Sequence, residues 1–445
     1  MPSGVAEFPL HLLCILPGRG NPPHILTITP PEVMKSHRLG GISMIKLKPN
    51  HWLTIGLAVF AVISSIIFIL LPWAEMNNYQ AVNNSTMNYY KAQVDQVVSE
   101  TLSADNLEPG RNLGTQEILV TLQEGPNAGQ QVEILNYLNR TQNVEVRAGQ
   151  TVIVCADEPD GVEAYYTVYS YYRNPAILGI LLFFGALIIL VGRGTGAKSL
   201  LGLAYTIFAV LFFLLQAIFH GLPSVPITLL TVTVTTVVSL LLMGGASKKS
   251  LAAILSTVAG LLLSTGVFAV FQGLLHISGY TMDEAESLLL VTQATGLDLG
   301  NLLLVSVLIS SLGAVMDMSM SVASPLEEIH RLNPEHGFSQ LVRSGMNIGR
   351  DTIGTMTNTL IMAFTGTALT TMLVLMGYGW SFQQLLNSNY LAMELAQSIA
   401  STTGVVLTVP VTSLIGAWMF TKWNWKGEKA PQKALSKGGK RKKRA

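Results

Sequence analysis

Asp317 is the residue whose position most demands a chemical explanation. It lies in SSLGAVMDMSMSVAS, with 18 uncharged residues before it and nine after it. An ionisable group deep in an apolar span costs about 2.5–3.5 kcal/mol on insertion scales, so its retention points to function. At helical spacing Ser310, Gly313, Asp317, Ser321 and Ser324 form one polar, small-residue stripe. Such a stripe packs closely on another helix or lines a wet crevice. A second polar face lies in NIGRDTIGTMTNTLIMAFTG, where Asp351, Gly354, Thr355, Asn358 and Thr365 recur together. Asp317 and Asn358 each sit about seven residues, roughly 10 Å, from the inner end of their span. Thr355, Asn358 and Thr359 are therefore predicted to hydrogen-bond the Asp317 carboxyl, which could then load and release a proton. The competing reading is a protonated aspartate that glues two helices together.

Other reactive groups carry less. Glu394 opens the last span near the outer surface, where interfacial solvation explains it. Arg350 and Asp351 adjoin at a helix N-terminus, a favourable place for a carboxylate. Met316, Met318 and Met320 alternate at spacing two and so divide over different faces of a helix, which argues for packing and against a soft-metal path. The two cysteines, Cys14 and Cys155, fall in regions expected on opposite sides of a membrane and are not expected to pair. No CxxC or Cys/His cluster supports zinc, iron–sulfur or thiol-redox chemistry. No Walker A, HExxH or GxSxG sequence is present. The expectation is a chain that is not an enzyme, holds no cofactor and takes any transport energy from an ion gradient.

The elements that must position Asp317 follow from hydrophobicity. Of 445 residues, 49% are hydrophobic and only 12% charged, against about 25% charged in soluble domains. Residues 199–247 and 352–393 contain no charged residue at all. A span needs about 20 apolar residues, and eight stretches qualify: 52–71, 175–192, 199–219, 225–243, 252–275, 301–323, 352–376 and 392–420. With the N-terminus in the cytoplasm, inside segments hold 22 of the 27 basic residues and the short outside hairpins none, as the positive-inside rule requires.

The remaining five basic residues, with 13 of the 26 acidic ones, lie in the long segment 74–173. Its strand-like runs YKAQVDQVVS, TQEILVTLQ, QVEILNYL, QTVIVC and AYYTVYSYY are separated by turn clusters. They suggest a small extracytoplasmic β domain, either an OB-like barrel or a β-sandwich. Its negative charge argues against nucleic acid. The expected order is an extension over 1–43, an anchor helix over 44–73, the β domain over 74–173, a seven-helix bundle over 174–423 and a basic cytoplasmic tail over 424–445. Met44-Ile-Lys-Leu-Lys reads as a natural basic start, so residues 1–43 are expected to be disordered or a misassigned beginning. The fold class is an α-helical polytopic membrane protein of about eight spans with a β domain between the first and second.

The stretches GAVMDMSMSVASPLEEI, LVRSGMNIGRDTIGTMTNTLIMAFTG and NYLAMELAQSIASTTGVVLTVPVTSLIGAW resemble the YibE/F family of bacterial membrane proteins over about residues 44–423. That resemblance implies the architecture and a multi-pass place in the bacterial cell membrane, but no particular activity. A more distant similarity joins the Asp317 region, the following basic loop with Gly345 and Arg350, and the Thr/Asn-rich span to SecD/SecF proteins and RND permeases. It implies a proton-carrying Asp317 with Thr355, Asn358 and Thr359 as polar neighbours, and a homodimer that supplies the second half-unit. The expected function is a proton-coupled transporter or exporter of unspecified substrate. The alternative is a non-transporting membrane partner that assists secretion or envelope assembly.

Overall fold

The computed structural model describes residues 63, 64, 66, 86–159, 161–282, 285–295 and 298–423. The expected extension, most of the first span and the basic tail lie outside the described residues. Ser64, from that first span, meets the Tyr205 hydroxyl with its Oγ at 2.6 Å.

Five strands precede the helices: β1 Met87–Ala104, β2 Asn112–Leu122, β3 Gln131–Leu138, β4 Thr151–Asp157 and β5 Tyr165–Tyr171. All five coincide with the strand-like runs of the sequence. They form one antiparallel sheet in the order β3-β2-β1-β4-β5, and β3 approaches β5, so the sheet curls into a half-barrel. The 18-residue β1 carries register shifts between Val94 and Gln96 and between Val97 and Ser99. Bulges of this kind bend a strand, which lets β1 pair with β2 along one part and with β4 along another. Alternate residues Val94, Ile118, Val120, Ile134, Val152, Val154 and Val168 fill the interior. Two buried amides complete it. Gln116 Nε2 donates to the Val146 carbonyl at 3.1 Å, and its Oε1 accepts the Val146 amide at 3.0 Å. Asn136 Nδ2 donates to the Val144 carbonyl at 2.8 Å. The extended segment around 144–146 is thus held as a strand would be, by side chains in place of a ladder.

The rest is helical: α1 Asn174–Phe219, α2 Ser224–Gly244, α3 Lys248–Leu274, α4 Ala285–Thr295, α5 Leu299–Leu332, α6 Phe338–Gly377, α7 Phe382–Leu386 and α8 Asn389–Lys422. Six of these are long and apolar enough to cross a membrane. The first of the six is two helical arms. Arg193 breaks it at φ 48°, ψ −133°, and a Cβ on Gly185 would lie 3.3 Å from Leu200 Cδ2. Fifteen residues of straight helix would separate those positions by about 22 Å, so the chain doubles back at Arg193. The arms 174–192 and 194–219 match the second and third spans expected from sequence, and the total of eight is consistent with the helices seen.

Two boundaries move. α5 runs on to Leu332 and α6 begins at Phe338, so the basic stretch with Arg331, Arg343 and Arg350 is mostly helix. Hydropathy marks where a helix ceases to be apolar, whereas the helix continues for as long as its backbone bonds and one apolar face persist. Segment 276–298, between two of the expected spans, contains α4.

Packing fixes the directions. Gly244 lies near Met320 while Ile227 joins the cluster of Leu299 and Val305, Ser310 Oγ is 3.2 Å from Ser401 Oγ, and Gly416 lies near Leu326, so α2, α5 and α8 run parallel. Thr257 bonds Ser319 while Gly260 abuts Val315, and Gly345 abuts Leu326 and Ser413, so α3 and α6 run against them. The connections at 193, 245–247 and 333–337 therefore share one end of the bundle with Lys422. There Lys249 pairs with Glu327 at 3.5 Å.

Candidate functional site

The centre of the bundle is a three-helix contact of α3, α5 and α8 built on small residues. A Cβ on Gly260 would collide with Thr408 Oγ1 and stand 2.8 Å from Val315 Cγ1; one on Gly404 would stand 2.5 Å from Ser264 Cβ. Thr257 Oγ1 donates to Ser319 Oγ at 3.1 Å, and Ser264 Oγ donates to the Ala400 carbonyl at 3.1 Å. Most other buried hydroxyls donate back along their own helix, as Thr408 does to the Gly404 carbonyl at 2.7 Å. These pairings allow a polar core without unpaired groups. The α6 helix joins through Gly345, against Ser413, and Gly349, against Val409.

Asp317 lies on the other side of α5. Val315, Met318, Val322 and Leu326 turn into the core, while Ser310, Gly313 and Asp317 are exposed and Ser321 and Ser324 half-buried. The predicted stripe is one face of the helix; in the single chain it is open at Gly313 and Asp317, while Ser310 meets Ser401 of α8. One flank, with Met316, Met320 and Ala323, packs toward α2 and α3. The other, with Ala314 and Met318, joins the cluster that includes Ile353, Met356 and Leu360 of α6. Asp317 stands at the mouth between these flanks. Among the described residues no donor bonds its carboxyl and no cation pairs with it.

The predicted neighbours sit differently from expectation. Nine residues back from Leu326 is Asp317, and nine on from Gly345 is Gly354, so the carboxyl is level with Gly354 and about one turn short of Asn358. Gly354, Thr355, Asn358 and Thr359 are exposed. The Thr355 hydroxyl donates to the Thr352 carbonyl and that of Thr359 to the Thr355 carbonyl, each at 2.9 Å. The structure therefore brings α5 and α6 together but forms no bond between Asp317 and these three side chains. Gly313 and Gly354 would each admit a Cβ with nothing within 4 Å, so within one chain neither is a close-packing residue. The inward face of α6 is Gly349, Ile353, Met356 and Leu360, together with Thr357, whose Oγ1 is buried without a partner. Sequence reasoning passed over Thr357. Its signal was its spacing of four from Ile353 and eight from Gly349.

At the far end of the α6–α8 seam, Thr367 Oγ1 donates to Glu394 Oε1 at 3.4 Å. Glu394 is half-buried there. Among the described residues no group of three or more His, Cys, Asp or Glu side chains is placed to hold a metal.

What this arrangement offers is a carboxylate within a long apolar helix, on an open polar stripe, held by neither an ion pair nor a hydrogen bond. Neither the curated proteins nor the solved structures offer a match to the chain. The family model for YibE/F-like protein matches residues 180–422, which include the Asp317 stripe, the polar face of α6 and the small-residue core. Because that match spans more than half the sequence, the chain belongs to the YibE/F-like family.

Proposed function

We propose that the protein is a proton-coupled transporter or exporter of the bacterial cell membrane, with Asp317 as its proton carrier. The observation that carries this reading is the Asp317 carboxyl itself: ionisable, within an apolar helix, facing an open stripe, and free of partners that would fix its charge. A purely structural carboxyl would be expected to spend its oxygens on neighbouring donors. Thr355, Asn358 and Thr359 form a further polar surface on α6, and a homodimer would bring one copy's surface toward the other's stripe.

The distribution of basic residues supports an orientation in which the end holding Arg193, Lys249 and Lys422 is cytoplasmic. The half-barrel and the 378–388 hairpin are then outside. The strand order, with β3 and β5 approaching, supports an OB-like barrel. The alternative, a non-transporting partner in secretion or envelope assembly, draws support from the exposed Tyr89, Tyr165 and Tyr169 of that barrel, a surface suited to another macromolecule.

Proton flux into proteoliposomes tests the proposal. Wild-type protein should move protons and Asp317→Asn should not, with equal thermal stability in detergent. A stable Asn variant with full flux, or a wild type that moves none, sinks it.

A further inference from the structure

The hairpin joining α6 to α8 folds into a hollow that the proton-carrier reading does not use. Its walls come from the last turns of α6, from α7 and from the first turn of α8, and they line an open groove of about 620 Å³, a volume within the range of small-molecule sites. The chief lining side chains are Thr371, Trp380, Gln384, Asn387, Asn389 and Tyr390. None of the lining residues is charged.

Local bonding makes the walls firm and leaves part of their polar capacity unspent. Gly379, at φ +77°, turns the chain out of α6. Ser381 Oγ accepts the Gln384 amide at 3.3 Å, while Gln384 Oε1 accepts the Ser381 amide at 2.8 Å. Asn387 Nδ2 donates to the Gln383 carbonyl at 2.8 Å. Ser388 Oγ donates to the Leu385 carbonyl at 2.7 Å and accepts the Leu391 amide at 3.2 Å. What remains is the Gln384 side-chain NH₂, the Asn387 Oδ1, the whole Asn389 amide, the Trp380 indole N–H and the hydroxyls of Thr371 and Tyr390. Donors and acceptors thus line the groove together with two aromatic side chains. One turn deeper on both helices lie Thr367 and Glu394, already bonded to each other.

We propose that this hollow binds a neutral, polyhydroxylated ligand, a short saccharide. Each sugar hydroxyl both donates and accepts, which is the capacity that amides and hydroxyls match. The apolar faces of a pyranose ring suit the rings of Trp380 and Tyr390. A charged ligand would leave its charge without a counter-ion among these residues, an unfavourable desolvation. The main rival is an organic cation, drawn by the two aromatic faces and by Glu394 below. The inference rests on the hairpin alone and stands whether or not Asp317 carries protons.

The test is titration calorimetry on the full chain in lipid nanodiscs, free of sugar-based detergent, with maltotriose, cellotriose, chitotriose and tetraphenylphosphonium. At least one trisaccharide should bind. Trp380→Ala and Asn389→Ala should each weaken it at least tenfold without lowering the melting temperature, and Trp380→Phe should recover most of the loss. If Trp380→Ala fails to fold, the Asn389→Ala and Trp380→Phe proteins decide the question. The proposal is overturned if no trisaccharide binds, if binding is indifferent to these substitutions, or if only the cation binds.

Discussion

Glycines of one type but opposite surroundings give the sharpest test of how the bundle is held. A methyl group on Gly260 would overlap Thr408 Oγ1 and lie 2.8 Å from Val315 Cγ1, whereas carbon atoms settle at about 3.5–4.0 Å. Thr408 cannot simply rotate aside, because its hydroxyl donates to the Gly404 carbonyl at 2.7 Å, a bond contributing about 0.5–1.5 kcal/mol. Overpacking adds about 1–3 kcal/mol, and alanine returns about 0.8–1.0 kcal/mol of helix propensity. Gly260→Ala should therefore lose about 0.5–3.7 kcal/mol net. Gly313→Ala and Gly354→Ala meet nothing within 4 Å, so only the propensity gain of up to about 1 kcal/mol remains. Thermal unfolding in one detergent, at one scan rate, ranks the three variants against wild type. Gly260→Ala melting at or above wild type, or Gly313→Ala falling as far as Gly260→Ala, would refute the packing argument.

Three further outcomes follow from the geometry. The Arg140 guanidinium, bonded to both carboxyl oxygens at 3.1 and 3.2 Å, together with the Leu107 amide, holds Asp105 below the ordinary carboxylate range; its stabilisation is present above that range and lost as pH falls through the depressed value. Hydrogen exchange of β1 and β2 amides should accelerate there in wild type, and Asp105→Asn should abolish that acid dependence. Single cysteines at Ala246 and Leu107, in a chain without Cys14 and Cys155, should differ in labelling of intact cells by an impermeant reagent: Leu107 reactive, Ala246 protected, and the reverse pattern would invert the topology. Asp317→Leu should melt at or above the wild-type temperature, because no described donor depends on the carboxyl; a drop of several degrees would reveal a bond that the single chain does not make.

The half-barrel was legible almost strand by strand because period-two alternation flanked by turn residues is a local signal, and β3 coincides with QVEILNYL. Strand order was not legible, since the bulges that let β1 serve both β2 and β4 leave no compositional mark. Among the helices, hydropathy located the spans but misplaced two of their ends. The depth comparison of Asp317 with Asn358 inherited that error. It measured from the ends of the apolar stretches, at 323 and 352, when α5 and α6 extend well past both points. The packed pair Leu326 and Gly345 supplies the true register and shifts it by about a turn.

The face of α6 was harder to read for a different reason. Polar residues in a span are easily assumed to face protein, and by that logic Thr355 and Asn358 should point inward. The structure separates two polar systems instead. Serines and threonines of α3, α5 and α8 form the core, where glycines bring backbones close and each hydroxyl can be paired. Asp317 and the Thr355–Asn358 face are exposed in the single chain, and Asp317 and Asn358 make no hydrogen bond with any described residue. An unbonded amide and carboxyl facing hydrocarbon would each cost several kcal/mol, a cost relieved only by water or by protein. The α6 surface therefore calls for an aqueous crevice or a second polypeptide: water there would let the Asp317 stripe exchange protons, as the proposed function needs, whereas a partner packed dry against it would make Asp317 the glue between helices.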